Sequence, residues 1–382
     1  MLWSKCIFSP IYNMAFDEMV HRISKKRGKV KIHKTRRKTD KGKTIKRLTA
    51  RLARERKNNS VVIGIVSAPV IKPYMTKVSS YIPQSYVKWI EMSGAQVIPL
   101  QYDLPKPILS GFLNQLSGVL WIGGGIENKK THTEKQFKAF IGTLHFIYQY
   151  IKKQNDIGNV YPIWGTCIGF EILALMGMYA SADSLGHDFY HGRNIQKITK
   201  KGSGVLQFTN EVSSLAKAFP VKMRKEMAVK PVTYHIHDLG FNMKGKSVPK
   251  MKKYLDVLAV EYTDKSKVQF MNAFKYKEYP FYGVIFHPEK PPFEWIPKGI
   301  PHNALAVKTS TILSRFFIGL CRKNFNIWIG GRFPTDYMIY NYNLYSRQQS
   351  LKLLDPKDSY LKNFSEIVTT YYFGNVDEHY KG

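Results

Sequence analysis

Apolar and polar residues follow one another along most of this chain in blocks that predict strands and helices in turn. Short apolar runs predict buried strands at Val61–Val66, Ala95–Leu100, Gly118–Ile122, Val160–Trp164, Val257–Val260, Val268–Phe270 and Tyr282–Phe286. Apolar residues at helical spacing occur between these runs, over Tyr81–Met92, Phe137–Ile151, from Phe170 onward and over Ile312–Leu320. This alternation predicts an α/β fold with a doubly wound, mostly parallel sheet flanked by helices.

The first part of the chain lacks this pattern and is strongly basic. Residues 22–57 hold 18 Lys and Arg against two acids, with almost no aromatic residues, in a chain of net charge +32. Such a segment cannot bury enough apolar surface to fold alone, although 41–57 has helical spacing. A solvated tail is one interpretation, and an arm that binds RNA or another polyanion is the other. The candidate contacts are Lys34, Arg36, Arg37, Lys38, Lys46, Arg47, Arg51 and Arg54.

The change in composition divides the chain into a basic N-terminal extension, 1–59, and a folded domain, 60–382. The whole chain is 44% hydrophobic and 14% aromatic, which is enough for a sizeable core. Its three cysteines form no CxxC pair, which argues against a disulfide scaffold and a cysteine zinc site. No apolar run approaches the roughly 18 residues of a membrane span, so no transmembrane segment is predicted.

The segment Val160–Leu175 carries the candidate nucleophile. A strand, a sharp Gly-Thr-Cys-Ile-Gly turn and a helix pattern succeed one another, with Cys167 at the corner. Backbone N–H groups at the start of a helix favour a thiolate, which is the attacking species in acyl transfer. The ordinary alternative is that Cys167 is a small buried hydrophobe.

Three further segments bear on chemistry. Gly123–Gly125 ends a predicted strand and could present backbone N–H groups to an oxyanion. His287 and Glu289 follow another strand and could supply a base with its orienting carboxylate, although an isolated pair of this kind is usually incidental. His235 and His237 alternate in a third segment; no third metal ligand is evident, so surface or pocket histidines are favoured over a metal site.

Taken together, these segments resemble one family, gamma-glutamyl hydrolase, a folate poly-gamma-glutamate hydrolase related to the class I glutamine amidotransferase domains. The resemblance covers about residues 60–382, in matching order and spacing. It is most specific in the GTCxGFE segment around Cys167 and the HPEKxPxEW segment around His287. The other matching segments are Ser79–Ile82, Ser85–Lys88, Gln101–Pro105 and Gly123–Gly124.

The resemblance implies a fold, a reaction and a set of residues. Cys167 matches the nucleophile, His287 the base and Glu289 its orienting partner. The implied substrate is a gamma-glutamyl peptide or folate polyglutamate, cleaved without a metal or an organic cofactor.

Four other residues take their expected roles from the same resemblance. Gly124 and the backbone N–H of Ile168 match the oxyanion hole, and His235 and Glu171 match positions at the substrate site.

Two hypotheses about function follow. In the first, the chain is a cysteine hydrolase of gamma-glutamyl bonds. In the second, the hydrolase fold serves as a structural, RNA-binding component of a large assembly such as the mitochondrial ribosome. The chain has a basic arm, and its residues 1–21 show no evident secretory signal. These two features favour a mitochondrial location. The alternatives are a cytoplasmic location and the lysosomal or vacuolar location typical of the family.

Overall fold

The computed structural model describes residues 61–70, 78–124, 134–190, 192, 194–326, 337–352 and 368–374. The predicted basic extension, its candidate helix over 41–57 and all eight candidate nucleic-acid-binding cations lie outside the described residues. The fold below therefore concerns the part of the chain that begins at Val61.

The described residues alternate between strands and helices, as the sequence pattern predicts. The strands are β1 (Val61–Val66), β2 (Ala68–Pro69), β3 (Ser80–Pro83), β4 (Ala95–Leu100), β5 (Gly118–Trp121), β6 (Ile163–Thr166), β7 (Gln196–Gly204), β8 (Gln207–Phe208), β9 (Thr233–Gly240), β10 (Leu255–Tyr262), β11 (Gln269–Tyr276), β12 (Phe281–Val284), β13 (Leu344–Tyr345) and β14 (Thr370–Phe373). The helices are α1 (Gln84–Glu91), α2 (Lys106–Leu113), α3 (Glu134–Asp156), α4 (Ile168–Met176), α5 (Ala182–Tyr190), α6 (Ser214–Lys217), α7 (Val221–Met227), α8 (Ser247–Met251), α9 (Lys290–Phe293), α10 (Ala304–Cys321) and α11 (Arg347–Lys352).

The central sheet has eight strands in the order β4-β1-β5-β6-β12-β11-β10-β8. The first five are mutually parallel, and the last three run antiparallel to their neighbours. The carboxyl ends of β5, β6 and β12 consequently lie side by side. Ligands of open α/β sheets bind at this edge, so the topology itself points to the segments that follow these three strands.

Helices cover both faces of this sheet, because its parallel strands are apolar on both sides. In β1, Val62 and Val66 belong to one hydrophobic core with α2, α3 and α4, whereas Ile63 and Ile65 belong to a second core with α1 and α10. The predicted doubly wound, mostly parallel sheet flanked by helices is confirmed by this arrangement.

Two smaller sheets flank the central one, and the apolar pattern did not predict them. One has the order β13-β14-β3-β2, and the other pairs β7 with β9. Their strands are partly exposed or pair with distant segments; β3 pairs with β14, for example, across most of the chain. Apolar runs mark strands that are buried on both faces, so half-exposed strands of this kind give a weaker signal.

Several predicted elements have different bounds in the structure, including the helix and the strand that follow. The helix predicted over Tyr81–Met92 begins only at Gln84, because Ser80–Pro83 is a strand and Pro83 is the N-cap of α1. The strand predicted over Val160–Trp164 is shifted toward the nucleophile and occupies Ile163–Thr166, where it pairs with both β5 and β12.

Among the described helices, one is long and apolar enough to cross a membrane by length and composition, the segment Ala304–Cys321. It packs against the sheet: Phe317 and Cys321 contact the strand β5 at Gly118, where an added methyl group would lie 2.5 Å from Cys321 Sγ. We therefore interpret α10 as a core helix of the fold, with Cys321 buried in the core.

Candidate active site

The turn between β6 and α4 holds Cys167 in a strained conformation. Cys167 has φ 53° and ψ −113°, a region that side chains rarely adopt, and α4 begins at the next residue. Its N–H donates to Val284 O of the neighbouring strand β12 at 3.0 Å, and its carbonyl accepts from Glu171 N–H at 3.0 Å. The turn is thus anchored on both sides, and the buried thiol lies at the helix N-terminus.

The two glycines that flank Cys167 are required for close packing. An added Cβ at Gly169 would lie 2.4 Å from Trp121 O, and one at Gly165 would lie 2.5 Å from Gly169 O. No such contact occurs between real Cβ atoms and backbone atoms, so any side chain at either position would push the strand and the helix apart.

The segment after β12 supplies the histidine and the carboxylate. His287 N–H donates to Tyr234 O at 2.8 Å, which ties the backbone to β9. His287 Nδ1 lies 2.7 Å from Oε1 of the fully buried Glu289. His287 Nε2 is buried and has no hydrogen-bond partner among the described residues. A carboxylate on Nδ1 leaves Nε2 as the nitrogen that can exchange a proton with a neighbour.

Gly123, which follows β5, lies beside both the nucleophile and the histidine. An added Cβ at Gly123 would lie 2.7 Å from His287 Cε1, 2.9 Å from Tyr86 Oη and 3.2 Å from Cys167 Cβ. Cys167 and His287 therefore contact the same glycine from different elements. The sequence-predicted Cys167, His287 and Glu289 are close together in the fold.

Tyr86 is a further member of the site that the sequence pattern did not identify. Its Oη accepts a hydrogen bond from Gly123 N–H at 2.9 Å and lies 3.1 Å from His287 Nδ1. Burial raises the pKa of Tyr86 well above its usual value, and the charges of Glu289 and Cys167 raise it further. The phenol therefore stays protonated. A tyrosine on an amphipathic helix looks like a core residue, so only the fold reveals this contact.

The candidate oxyanion donors lie beside the turn. Ile168 is the first residue of α4, where N–H groups have no partner within the helix. Gly124 follows Gly123, and an added Cβ there would contact Ala68 Cβ at 3.2 Å and Tyr81 Oη at 3.4 Å. Their role in stabilising an oxyanion stays a prediction, as does the substrate-binding role of Glu171, which is buried in the first turn of α4.

His235 and His237 are both buried on β9 and contact each other. His235 Nδ1 lies 3.2 Å from His237 Nε2, and His235 Nε2 lies 2.8 Å from Glu261 Oε2. Burial lowers the pKa of His237 to about 3, and the charges of His235 and His287 lower it as well. His237, to which the sequence interpretation gave no individual role, thus interacts with His287. The predicted substrate-binding role of His235 remains a prediction.

Metal binding is not suggested by the described part of the chain. Within it, no group of three or more His, Cys, Asp or Glu side chains could hold a metal ion.

Comparison with known proteins identifies the family. The family model for peptidase C26 matches residues 61–289, a range that includes Cys167, His287 and Glu289. The chain belongs to the peptidase C26 family. Gamma-glutamyl hydrolase B of Dictyostelium discoideum is 30% identical over 293 residues, covering 75% of this chain and 79% of that protein. Human gamma-glutamyl hydrolase is 33% identical, covering 64% and 72%, and the rat protein is 31% identical, covering 75% and 86%.

Solved structures also match, and one of them is an example of a more distant similarity. It is a Thermoplasma acidophilum protein assigned to GMP synthase, with a TM-score of 0.40 and 16% identity, covering 68% of this chain and 94% of that one. The family assignment, as a gamma-glutamyl hydrolase-like peptidase, follows from the peptidase C26 match and the curated relatives.

Proposed function

We propose that this peptidase cleaves gamma-glutamyl bonds, such as those of folate poly-gamma-glutamates, with Cys167 as the nucleophile. The observation that carries the proposal is the geometry at Gly123: a strained cysteine at a helix N-terminus and a histidine, with a carboxylate on Nδ1 and a bare Nε2, contact one glycine. The names of the related hydrolases support the choice of substrate class.

These positions support a two-step reaction. His287 Nε2 accepts the thiol proton, and Cys167 Sγ attacks the gamma-carbonyl carbon of the substrate. The N–H groups of Ile168 and Gly124 stabilise the oxyanion of the tetrahedral intermediate. His287 returns the proton to the departing amine, which leaves a thioester on Cys167. Water, deprotonated by His287, then hydrolyses the thioester and regenerates the thiol.

Chemical modification tests this proposal. In a Cys6→Ser background, iodoacetamide should label Cys167 and abolish turnover of a gamma-glutamyl peptide in proportion to labelling, with protection by that peptide. Cys321 is the internal control, because it is fully buried and burial raises the pKa of its thiol well above its usual value. Loss of activity that tracks Cys321 labelling, with Cys167 unmodified, would refute the assignment.

A second function is favoured by the charge of residues 22–57. We propose that this arm binds RNA or a ribonucleoprotein through phosphate contacts, with little sequence preference, and that it directs the protein to such an assembly, the mitochondrial ribosome being one candidate. Binding should weaken by orders of magnitude from low to moderate salt.

Truncation and nuclease treatment test the arm. Deletion of residues 1–57 should abolish association with RNA, whereas deletion of 1–21, which keeps all 18 cations of the arm, should not. An acidic protein surface would also lose affinity in salt. If the native complex survives complete RNA digestion, the RNA proposal is wrong.

A further inference from the structure

A buried chain of ionisable side chains leads from β7 through β10 to β9, next to the candidate active site. Lys200, Glu261, His235 and His237 are each at most 5% exposed. Lys200 Nζ lies 3.3 Å from Glu261 Oε1 and 2.7 Å from the exposed Asp264. Glu261 contacts His235, and His235 contacts His237. None of these contacts is part of the reaction described above.

The direction of each hydrogen bond follows from the chemistry of the end groups. At one end, His237 Nδ1 lies 2.9 Å from Leu239 O, which can only accept, so Nδ1 carries a proton. At the other end, donors surround Glu261: Val205 N–H at 3.1 Å, the Asn272 amide at 3.2 Å and the Lys200 ammonium. Glu261 is therefore a carboxylate, which can only accept. His235 Nε2 lies 2.8 Å from Glu261 Oε2 and 3.0 Å from the Thr233 hydroxyl, and it donates to the carboxylate, the stronger acceptor of the two.

The contact between the two rings requires one more proton. His235 Nδ1 and His237 Nε2 are 3.2 Å apart, and one of them must donate to the other. With His235 Nε2 and His237 Nδ1 already protonated, the pair carries one positive charge. Because His235 donates to the carboxylate of Glu261 whereas His237 donates to a backbone carbonyl, the charge lies on His235. Burial also lowers the pKa of His237 to about 3, which keeps that ring neutral. Burial alone would raise the pKa of Glu261, but His235 and Lys200 hold it below its usual value.

We propose that His235, Glu261 and Lys200 form a buried positioning network that stores one proton and fixes His237 as the neutral tautomer protonated at Nδ1, facing the catalytic pair. The charges of the network are balanced, since Lys200 and His235 are cations while Glu261 and Asp264 are anions. The rings of Phe270 and Phe286 pack on the histidines and exclude water.

The network reaches the catalytic groups through β9. Tyr234 O accepts from His287 N–H, and Ile236 O lies 3.9 Å from Cys167 Sγ, so both contacts flank His235 on the strand. The other histidine that acts electrostatically on His237, besides His235, is His287 itself. Within this charge-balanced network the cation on the strand that contacts the catalytic pair is His235, and its positive ring favours the thiolate of Cys167. This catalytic consequence depends on the proposed function, whereas the protonation pattern does not.

Nitrogen NMR of the histidine rings in the full chain tests the protonation pattern directly. At neutral pH, His235 should show two protonated ring nitrogens, and His237 should show a proton on Nδ1 and a bare Nε2. Resonances are assigned by comparison with His235→Gln and His237→Gln variants. A bare nitrogen on His235 in the wild-type protein would overturn the proposal, whether or not the protein hydrolyses any peptide.

Two charge-removing variants separate the network from a general electrostatic effect. Glu261→Gln and Asp264→Asn each remove one anion from Lys200, but only Glu261 contacts His235. In Glu261→Gln, the histidine pair should lose one proton. The midpoint of the pH dependence of Cys167 alkylation should rise by about half a pH unit. Asp264→Asn should change neither. Equal NMR spectra and equal alkylation profiles for the two variants would refute the network.

A steric variant approaches the same network from β7. An added Cβ at Gly204 would lie 2.4 Å from Glu261 Oε1 and 2.8 Å from His235 Nε2, so Gly204→Ala should separate the two groups. It should reproduce the loss of the His235 proton without removing a charge. If Glu261→Gln fails to fold, Gly204→Ala provides the test of the network in its place. An unchanged His235 spectrum in Gly204→Ala would contradict the proposal.

Discussion

At the scale of single residues, the glycines around Cys167 define the candidate site as much as the reactive groups do. Gly123, Gly165 and Gly169 each lie where an added Cβ would meet another atom at 2.7 Å or closer. The sequence predicted a nucleophile turn because glycines flank Cys167. The resemblance assigned Gly124 to the oxyanion hole, and that role stays a prediction. The close packing of Gly123 was not predicted, since a run of glycines does not reveal which of them contacts the neighbouring elements.

The first prediction concerns Gly123. A Gly123→Ala change should displace His287 or Cys167 and lower the rate of gamma-glutamyl hydrolysis by roughly 100-fold or more, because misplacement by about 1 Å is that costly. Gly142→Ala is the matched control: it lies inside α3 with open space around it, and should leave the rate unchanged while adding up to about 1 kcal/mol of stability. Equal rates in the two variants would contradict the site geometry.

At the scale of elements, the buried Glu294 joins the helix that carries Tyr86 to the segment that carries His287, through a hydrogen bond from Ser85 and an ion pair with Lys290 of its own segment. Lys290 Nζ lies 2.5 Å from Glu294 Oε2, and the Ser85 hydroxyl donates to Glu294 Oε1 at 2.5 Å. The contact links α9 to the first turn of α1. Tyr86, the residue after Ser85, can therefore reach both Gly123 and His287.

The second prediction follows from that pair. Glu294→Gln leaves the buried Lys290 without its carboxylate and should lower the free energy of unfolding by about 3 kcal/mol, measured by urea denaturation. Glu134→Gln, which breaks the exposed pair with Lys138, should cost at most about 0.5 kcal/mol. Similar losses in both variants would show that the buried pair does not hold these elements together.

Strands buried on both faces could be predicted from the sequence, and contacts between distant segments could not. The runs at Val61–Val66 and Ala95–Leu100 match β1 and β4 at both ends, because continuous apolar residues mark a strand between two layers. The network around Glu261 was not predicted, since Lys200 and His235 contact Glu261 only because three strands pack together. No local pattern carries that information.

At the scale of the whole molecule, buried titratable groups make stability depend on pH. The pKa of His237 is lowered to about 3, and that of Glu261 is held below its usual value. In the unfolded chain both groups bind protons at higher pH than in the folded one. As the pH falls, the unfolded state gains protons first, and the folded state loses stability relative to it.

The third prediction is therefore a loss of stability in acid. The free energy of unfolding should decline as the pH falls from about 6.5, the ordinary value for histidine, toward 4.5, where Glu261 begins to contribute as well. A His237→Gln variant should show a flatter profile in the same range. Parallel profiles for the wild-type protein and the variant, measured by urea denaturation at each pH, would contradict the assignment of His237 as a neutral buried group.

Cleavage of gamma-glutamyl bonds by Cys167 is tested by comparing hydrolysis by the wild-type protein with hydrolysis by a Cys167→Ala variant of the full chain. Release of glutamate is measured from a gamma-linked glutamyl peptide and from its alpha-linked isomer, with Cys321→Ala as the control. We expect the wild-type protein and Cys321→Ala to hydrolyse the gamma-linked peptide, and Cys167→Ala to be slower by several orders of magnitude. Turnover by Cys167→Ala at the wild-type rate, or no turnover by the wild-type protein, would contradict this expectation.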